Sequence, residues 1–312
     1  MLGTSTLLAL ALAGTTDIIG ATAAEDVCTG KRCDTAACPC GCECGNKDDP
    51  GLCYVPKVAA ACNDGKQTVL VTGATGRTGS HLYKRLVADG VYNVRAFVRD
   101  VAKARKELGC KKCDPSEGIF VGNVSDDSAL RSAAHGTSAV AIAVGIGGNA
   151  TQAETKAVEY TGVQKQVAAL AQQSNVAAIG GLAKLRVVLC SSMGTLDPSP
   201  PPYEGGSVLF WKLNAEAFIA ASGLSFAVVK PCGLLSLPGG HAKLLVGHDD
   251  ALLATTPPVV PRDDVARVMQ AALSFPADGA PLGLRFDLCS KAGTPTTDLQ
   301  ALLKQSLYAW QQ

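Results

Sequence analysis

The nine residues VTGATGRTG, Val71 to Gly79, decide how this chain is read. Glycines stand at 73, 76 and 79. Glycine loses more conformational freedom on folding than any other residue, so a turn with three of them needs positive φ or close approach of its backbone to something else. The flanks say which. Before the turn runs QTVLVT (Gln67–Thr72), a short apolar run with the look of a buried strand. After it runs GSHLYKRLVADG, with Leu82, Leu86 and Val87 on one helical face. A glycine triplet that follows a strand and opens a helix is the pattern of a dinucleotide-binding turn. The first glycine permits the bend, the second lets N–H groups approach a pyrophosphate, and the third lets the helix pack on the strand. The helix N-terminus adds free N–H groups and partial positive charge.

The same alternation continues downstream. YNVRAFVRD, GIFVGN, SAVAIAVG, LRVVLCSS and SFAVVKP read as further strands. VAKARKEL, DSALRSAAH, AVEYTGVQKQVAALAQQS and LFWKLNAEAFIAAS read as the helices between them. Six strands without polar alternation, separated by helices, imply an α/β fold: a doubly wound parallel sheet covered on both faces. The region from about residue 234 is expected to form a small C-terminal, substrate-side subdomain.

Composition divides the chain before residue 66. Of 13 cysteines, eight lie between Cys28 and Cys62. Three segments are expected: a leader at 1–24, a cysteine-rich extension at 25–65, and the Rossmann-type domain at 66–312. TLLALALAG, ending at Gly14, followed by ATAA at 21–24 resembles a secretory signal with its cleavage site, although no Lys or Arg precedes it. A disordered or plastid-targeting leader is the alternative. The run is too short to span a bilayer. The cysteine-rich segment has almost no apolar residue for a core, so it needs staples. Eight is an even count that suits disulfides. Metal is disfavoured, because paired C-x2-C spacing and nearby histidines are both missing. CKKC (Cys110–Cys113) follows a helix, which fits a local disulfide or two idle thiols better than a redox centre. Net charge is +1, and no Lys/Arg run marks a nucleic-acid surface.

The end of the second strand selects the cofactor. An acid there binds the adenosine ribose 2′-hydroxyl, and an arginine accommodates a 2′-phosphate. This strand ends FVRD, with Arg99 ahead of Asp100, while Arg77 stands in the turn and Lys103 follows. Two guanidiniums favour NADP(H), since arginine pairs bidentately with phosphate. Asp100 argues the other way.

VTGATGRTG, AFVRD, FVGNVSD, VVLCSSMG, WKLNAEAFIAASGLSFAVVKPCGLL and PRDDVARVMQAAL occur in that order. From Thr68 to about Leu307 the chain thereby resembles the short-chain dehydrogenase/reductase superfamily, in its atypical, epimerase-like NAD(P)-binding branch. The resemblance implies cofactor contacts at Gly73, Thr75, Gly76, Arg77, Thr78, Gly79 and Arg99. It implies adenine contacts at Asn123 and Val124, and ribose contacts at Val144 and Gly145. Ser191 and Ser192 would face the nicotinamide and substrate, Lys212 would be the active-site lysine, and Pro231 and Gly233 would lie near the nicotinamide. The wider family uses Tyr-x-x-x-Lys, in which the lysine cation lowers the pKa of the proton-donating phenol. Four residues before Lys212 stands Val208, which has no proton to give. Tyr203 lies in the loop DPSPPPYEGGS instead. Two functions stay open. One is an NADPH-dependent reductase or isomerase of a small carbonyl compound. The other is a non-catalytic NADP-binding scaffold that docks through the cysteine-rich segment into a larger assembly, such as one at a plastid membrane.

Overall fold

The computed structural model describes residues 66–196, 207–276 and 283–311, together with the strand pair Glu43–Cys44 and Cys53–Tyr54. The expected leader, most of the cysteine-rich segment and Tyr203 lie outside the described residues. Contacts divide the chain into two units, Met1–Gly65 and Lys66–Gln312. In the first, Glu43–Cys44 pairs antiparallel with Cys53–Tyr54.

The second unit begins with β1 (Thr68–Thr72), the glycine turn, α1 (Gly79–Asp89) and β2 (Asn93–Val98). Then follow α2 (Val101–Leu108), β3 (Ile119–Val121), α3 (Asp127–Ala134) and β4 (Ala139–Ile142). The long helical run expected after β4 is broken into α4 (Gln152–Lys156), a π-helical turn at Ala157–Thr161, and α5 (Gly162–Leu170). Next come α6 (Gln173–Ile179), β5 (Arg186–Cys190), α7 (Ser207–Ala220) and β6 (Ser225–Pro231). The last part holds β7 (Gly233–Leu235), β8 (Lys243–Gly247), β9 (Val259–Pro261), α8 (Arg262–Leu273), β10 (Gly283–Lys291) and α9 (Leu299–Gln305).

Strand order across the sheet is β3-β2-β1-β4-β5-β6-β10-β9-β7. The first six are parallel and reverse direction of winding at β1/β4, the topological switch point where doubly wound sheets bind ligands. Two apolar layers cover the sheet, as continuous hydrophobic strands require. Leu82 and Leu86 of α1, Ala104 of α2 and Val265, Val268 and Met269 of α8 pack on one face. Leu130 of α3, Val163, Val167 and Leu170 of α5 and Ile219 of α7 pack on the other.

The six-strand reading is one strand short. β10 adds a seventh parallel strand beside β6, in register from Gly283↔Phe226 to Leu288↔Pro231. Its sequence, GLRFDLCSK, carries Arg285 and Asp287 among apolar residues, so it does not read as a buried strand; both charges are held by ion pairs described below. β8 and β9 pair antiparallel with β10, and β7 runs parallel to β9. These strands extend the sheet beyond its parallel part. Among the described residues no helix is long and apolar enough to cross a membrane.

Candidate active site at the glycine turn

The glycine turn is locked by its own backbone. Gly76 donates its N–H to the Gly73 carbonyl at 2.7 Å, and Ser80 donates to Gly76 at 3.0 Å. Gly73 has φ of +67°, and a Cβ there would collide with the Ala143 carbonyl after β4. A Cβ on Gly79 would collide with the Gly73 carbonyl. The outer two glycines therefore hold β1, β4 and α1 at close range.

A cleft of about 540 Å³ opens above this turn at the C-terminal ends of β1, β4, β5 and β6. Gly76, Arg77, Thr78, Val144, Gly145, Ser191, Ser192, Lys212, Pro231 and Gly233 line it, which brings together ten of the expected residues. Gly73, Thr75 and Gly79 belong to the turn behind it. Arg99 is exposed at the end of β2, and Asp100 uses its carboxylate to cap α2, accepting the Lys103 N–H at 3.0 Å. Asn123 accepts from the Ser125 backbone N–H at 3.1 Å, and Val124 is buried against Gly162. A larger groove of about 720 Å³, on the surface of α3, α5 and α7, holds none of the expected residues.

Lys212 is paired within the protein. Its Nζ donates to Glu159 Oε2 at 2.8 Å, and Glu159 is 3% exposed. Burial opposes the lysine charge, but the Glu159 carboxylate and its hydrogen bond outweigh burial and hold Lys212 above the ordinary lysine range. Glu159 Oε1 also accepts the Ile146 N–H at 3.0 Å, which fixes the loop after β4. The π-helical turn aims Glu159 inward; such turns recur at functional sites. Helical periodicity at 3.6 residues per turn cannot reveal a five-residue turn, so this carboxylate escaped the sequence reading.

The serines are also engaged. Ser191 Oγ donates to Glu216 Oε1, and Ser192 Oγ donates to the Met193 carbonyl at 2.9 Å. Glu216 pairs in turn with Arg285 of β10, Nε to Oε2 at 2.7 Å, and Arg285 Nη2 reaches Thr195 Oγ1 at 3.1 Å. Val208 lines the cleft one turn before Lys212. Cys190 also lines it, and burial pushes its thiol up to about 11, so it is no thiolate nucleophile at neutral pH.

The histidines and two neighbouring aromatic rings do not line the cleft. His81 Nδ1 is 3.5 Å from Asp263 on the surface of α1. His248 stacks on Tyr308 with ring centroids 3.8 Å apart, and His241 is exposed. Phe210 is 44% exposed, and Trp211 stacks on Tyr160. Cys110 and Cys113 form a local disulfide, with Cα atoms 5.0 Å apart. Cys232, on the cleft wall, is joined to Cys289 of β10, with Cα atoms 5.5 Å apart.

Comparison with known proteins agrees with this architecture. The profile of the family described as NAD(P)H-binding matches residues 73–276. A chloroplastic protein of Arabidopsis thaliana of uncharacterised function is 32% identical over 262 residues, spanning 80% of this chain and 78% of that one. The sanguinarine reductase of Eschscholzia californica is 30% identical over 272 residues, spanning 77% of this chain and 96% of the reductase. A Bacillus halodurans structure, an NAD-dependent epimerase/dehydratase by name, shares the fold with a TM-score of 0.60 at 23% identity, covering 77% of this chain and 99% of that one. With the glycine turn at the switch point of a parallel sheet and this profile across most of the folded domain, the chain belongs to the NAD(P)H-binding family of Rossmann-fold, epimerase- and reductase-like proteins.

Proposed function

We propose that this protein is an NADP(H)-dependent reductase of a small electrophile that accepts hydride without a proton from the protein. The observation that carries the reading is the cleft itself, where Lys212, Ser191, Ser192 and the Pro231–Gly233 segment face the glycine turn across one space. The donor set fits the cofactor. Arg77 and Arg99 are both exposed where a 2′-phosphate is expected, and Asp100, the rival ligand for a ribose hydroxyl, is committed to capping α2. The nicotinamide would supply hydride when bound. Lys212, kept cationic by Glu159, would offer its remaining N–H donors to the nicotinamide ribose.

What the cleft lacks among the described residues limits the substrate. A ketone needs a proton as well as hydride, and a positioned acid contributes about 10²–10⁴-fold. Val208 has no proton, both serine hydroxyls donate within the protein, and Lys212 holds its proton above the ordinary lysine range. An acceptor that needs hydride alone, such as a cationic C=N group, suits this wall better than a ketone. The relative named sanguinarine reductase supports a reductase reading. A plastid location belongs to the same proposal, supported by the chloroplastic relative.

Calorimetric titration with NADPH and NADH tests the cofactor, and stopped-flow oxidation of bound NADPH against aldehydes, ketones, cationic imines and sanguinarine tests the chemistry. NADPH is expected to bind more tightly, and Arg99→Ala to remove about 1.5–3 kcal/mol of that preference, as for hydrogen bonds to charged groups. Equal affinities would refute the cofactor assignment, and fast ketone turnover would refute the substrate argument. The absent tyrosine also favours a second reading, an NADP-binding scaffold; NADPH bound tightly yet oxidised by nothing in the panel would establish it.

A further inference from the structure

Among the described residues, Arg262 is a buried cation without a counter-charge. It is the first residue of α8, 8% exposed, and lines the cleft. Among the described residues its guanidinium makes one hydrogen bond, Nη1 to Ser236 Oγ at 2.9 Å, and no ion pair. The two acids that follow it in sequence are taken. Asp263 pairs bidentately with Arg85, at 2.7 Å to each oxygen, and accepts the Gly239 N–H. Asp264 pairs with Arg267 at 2.6 Å and accepts the Gly240 N–H.

Three features of this position are unfavourable. A cation at a helix N-terminus opposes the helix dipole. A buried charge with no counter-charge loses hydration that one neutral hydrogen bond does not restore. The third is Arg77: burial first, and then the like charge of Arg77, lower the Arg262 pKa. An anion in the cleft beside Arg262 offsets all three.

We propose that Arg262 is the counter-charge for the cofactor diphosphate, closing from α8 the anion site that the glycine turn begins. This rests on the NAD(P)-binding reading above. Its neighbours single out the diphosphate. Arg262 lines the same cleft as Gly76 and Thr78 of the glycine turn and Cys190 at the end of β5. The 2′-phosphate belongs instead at the end of β2, on the far side of β1 in the strand order. A diphosphate lies over the glycine turn and is carried equally by NADPH and NADH.

The test uses the full chain, with Arg262→Gln, Arg262→Lys and Arg99→Ala as variants. Each is titrated calorimetrically with NADPH and with NADH, and its thermal midpoint is measured without ligand. Arg262→Gln is expected to weaken both dinucleotides by about 10–100-fold, the scale of lost charge-assisted hydrogen bonds. Arg262→Lys is expected to recover part of that loss, and Arg99→Ala to weaken NADPH alone. Without ligand, Arg262→Gln is expected to melt at or above the unmodified protein, because it removes an uncompensated charge. Unchanged affinity for both dinucleotides would overturn the proposal. So would a loss confined to NADPH, which would move Arg262 to the 2′-phosphate, or a ligand-free midpoint lowered by several degrees, which would make it a structural residue. If the unmodified protein binds neither dinucleotide, the cofactor reading itself fails and this proposal with it.

Discussion

Glu159→Gln separates the charge of the Lys212 pair from its shape. The amide still offers an oxygen to the Ile146 N–H, so the loop after β4 keeps its anchor. Lys212 loses the carboxylate 2.8 Å from its Nζ and stays 14% exposed by side chain, too buried to regain full hydration. Removing one partner of a buried ion pair costs about 3–5 kcal/mol, and the partial exposure of Lys212 places this case at the low end, about 3 kcal/mol. For a domain of this size, roughly 2–4 °C of midpoint follow each kcal/mol, so the variant is expected to melt roughly 6–12 °C lower at pH 7. The pH dependence has a definite sign. The folded-state pKa of Lys212 is raised. Its share of stability is then fully present below the unfolded lysine value, about 10.4, and is lost as pH rises through the folded value. The gap between the two proteins is expected to hold from neutral pH to about 10 and to narrow above it. Urea unfolding followed by circular dichroism, repeated for Lys212→Met and the double variant, gives the coupling. A loss below about 1 kcal/mol at pH 7, or strictly additive single variants, would refute the argument that the pair is one buried unit.

Cys190, with its thiol pushed up to about 11, is expected to resist iodoacetamide at pH 8 in the folded protein and to react once urea unfolds it; mass spectrometry reads both. Lys230 is fully buried between Asp250, at 2.5 Å, and Asp287, at 3.2 Å, and burial raises the Asp287 pKa despite that lysine. Asp287→Asn, which makes permanent a neutrality that burial already favours, is expected to cost about 1 kcal/mol or less, and Lys230→Met, which strands two carboxylates, about 3–5 kcal/mol; the reverse order in urea unfolding would contradict the burial argument.

The parallel sheet was legible because its strands are apolar on both sides and its turn carries three glycines between a strand and a helix. The cleft was legible at its backbone-defined points, the turn and the C-terminal strand ends, since topology alone puts those side by side. The charges inside the cleft were not. Glu159 sits in a helical run with nothing to distinguish it, and only the π-helical turn rotates it inward. Arg262 stands in PRDDVARVMQAAL, where a charged residue before two acids reads as a solvated helix start. Asp263 and Asp264 pair with Arg85 and Arg267 rather than with it, contacts that no local pattern announces.

The strand that the sequence reading omitted is the one that sets the helix carrying Lys212. Arg285 and Asp287 are two residues apart on β10 and point to the same face. Arg285 reaches Glu216 and Asp287 reaches Lys230, so one strand face binds both α7 and the neighbouring β6. Lys230 in turn holds Asp250, whose second oxygen accepts the Leu196 N–H, which ties the loop after β5 to the same framework. Glu216 lies four residues after Lys212, one turn along α7, so fixing one fixes the other. Ser191 donates to that same Glu216. The serine of the cleft is therefore held by a buried carboxylate backed by β10, while Lys212, one turn earlier on the same helix, is held by Glu159. Under the proposed function, a site kept in register with no proton donor at Val208 suits an acceptor that needs hydride alone, because orientation contributes without acid catalysis.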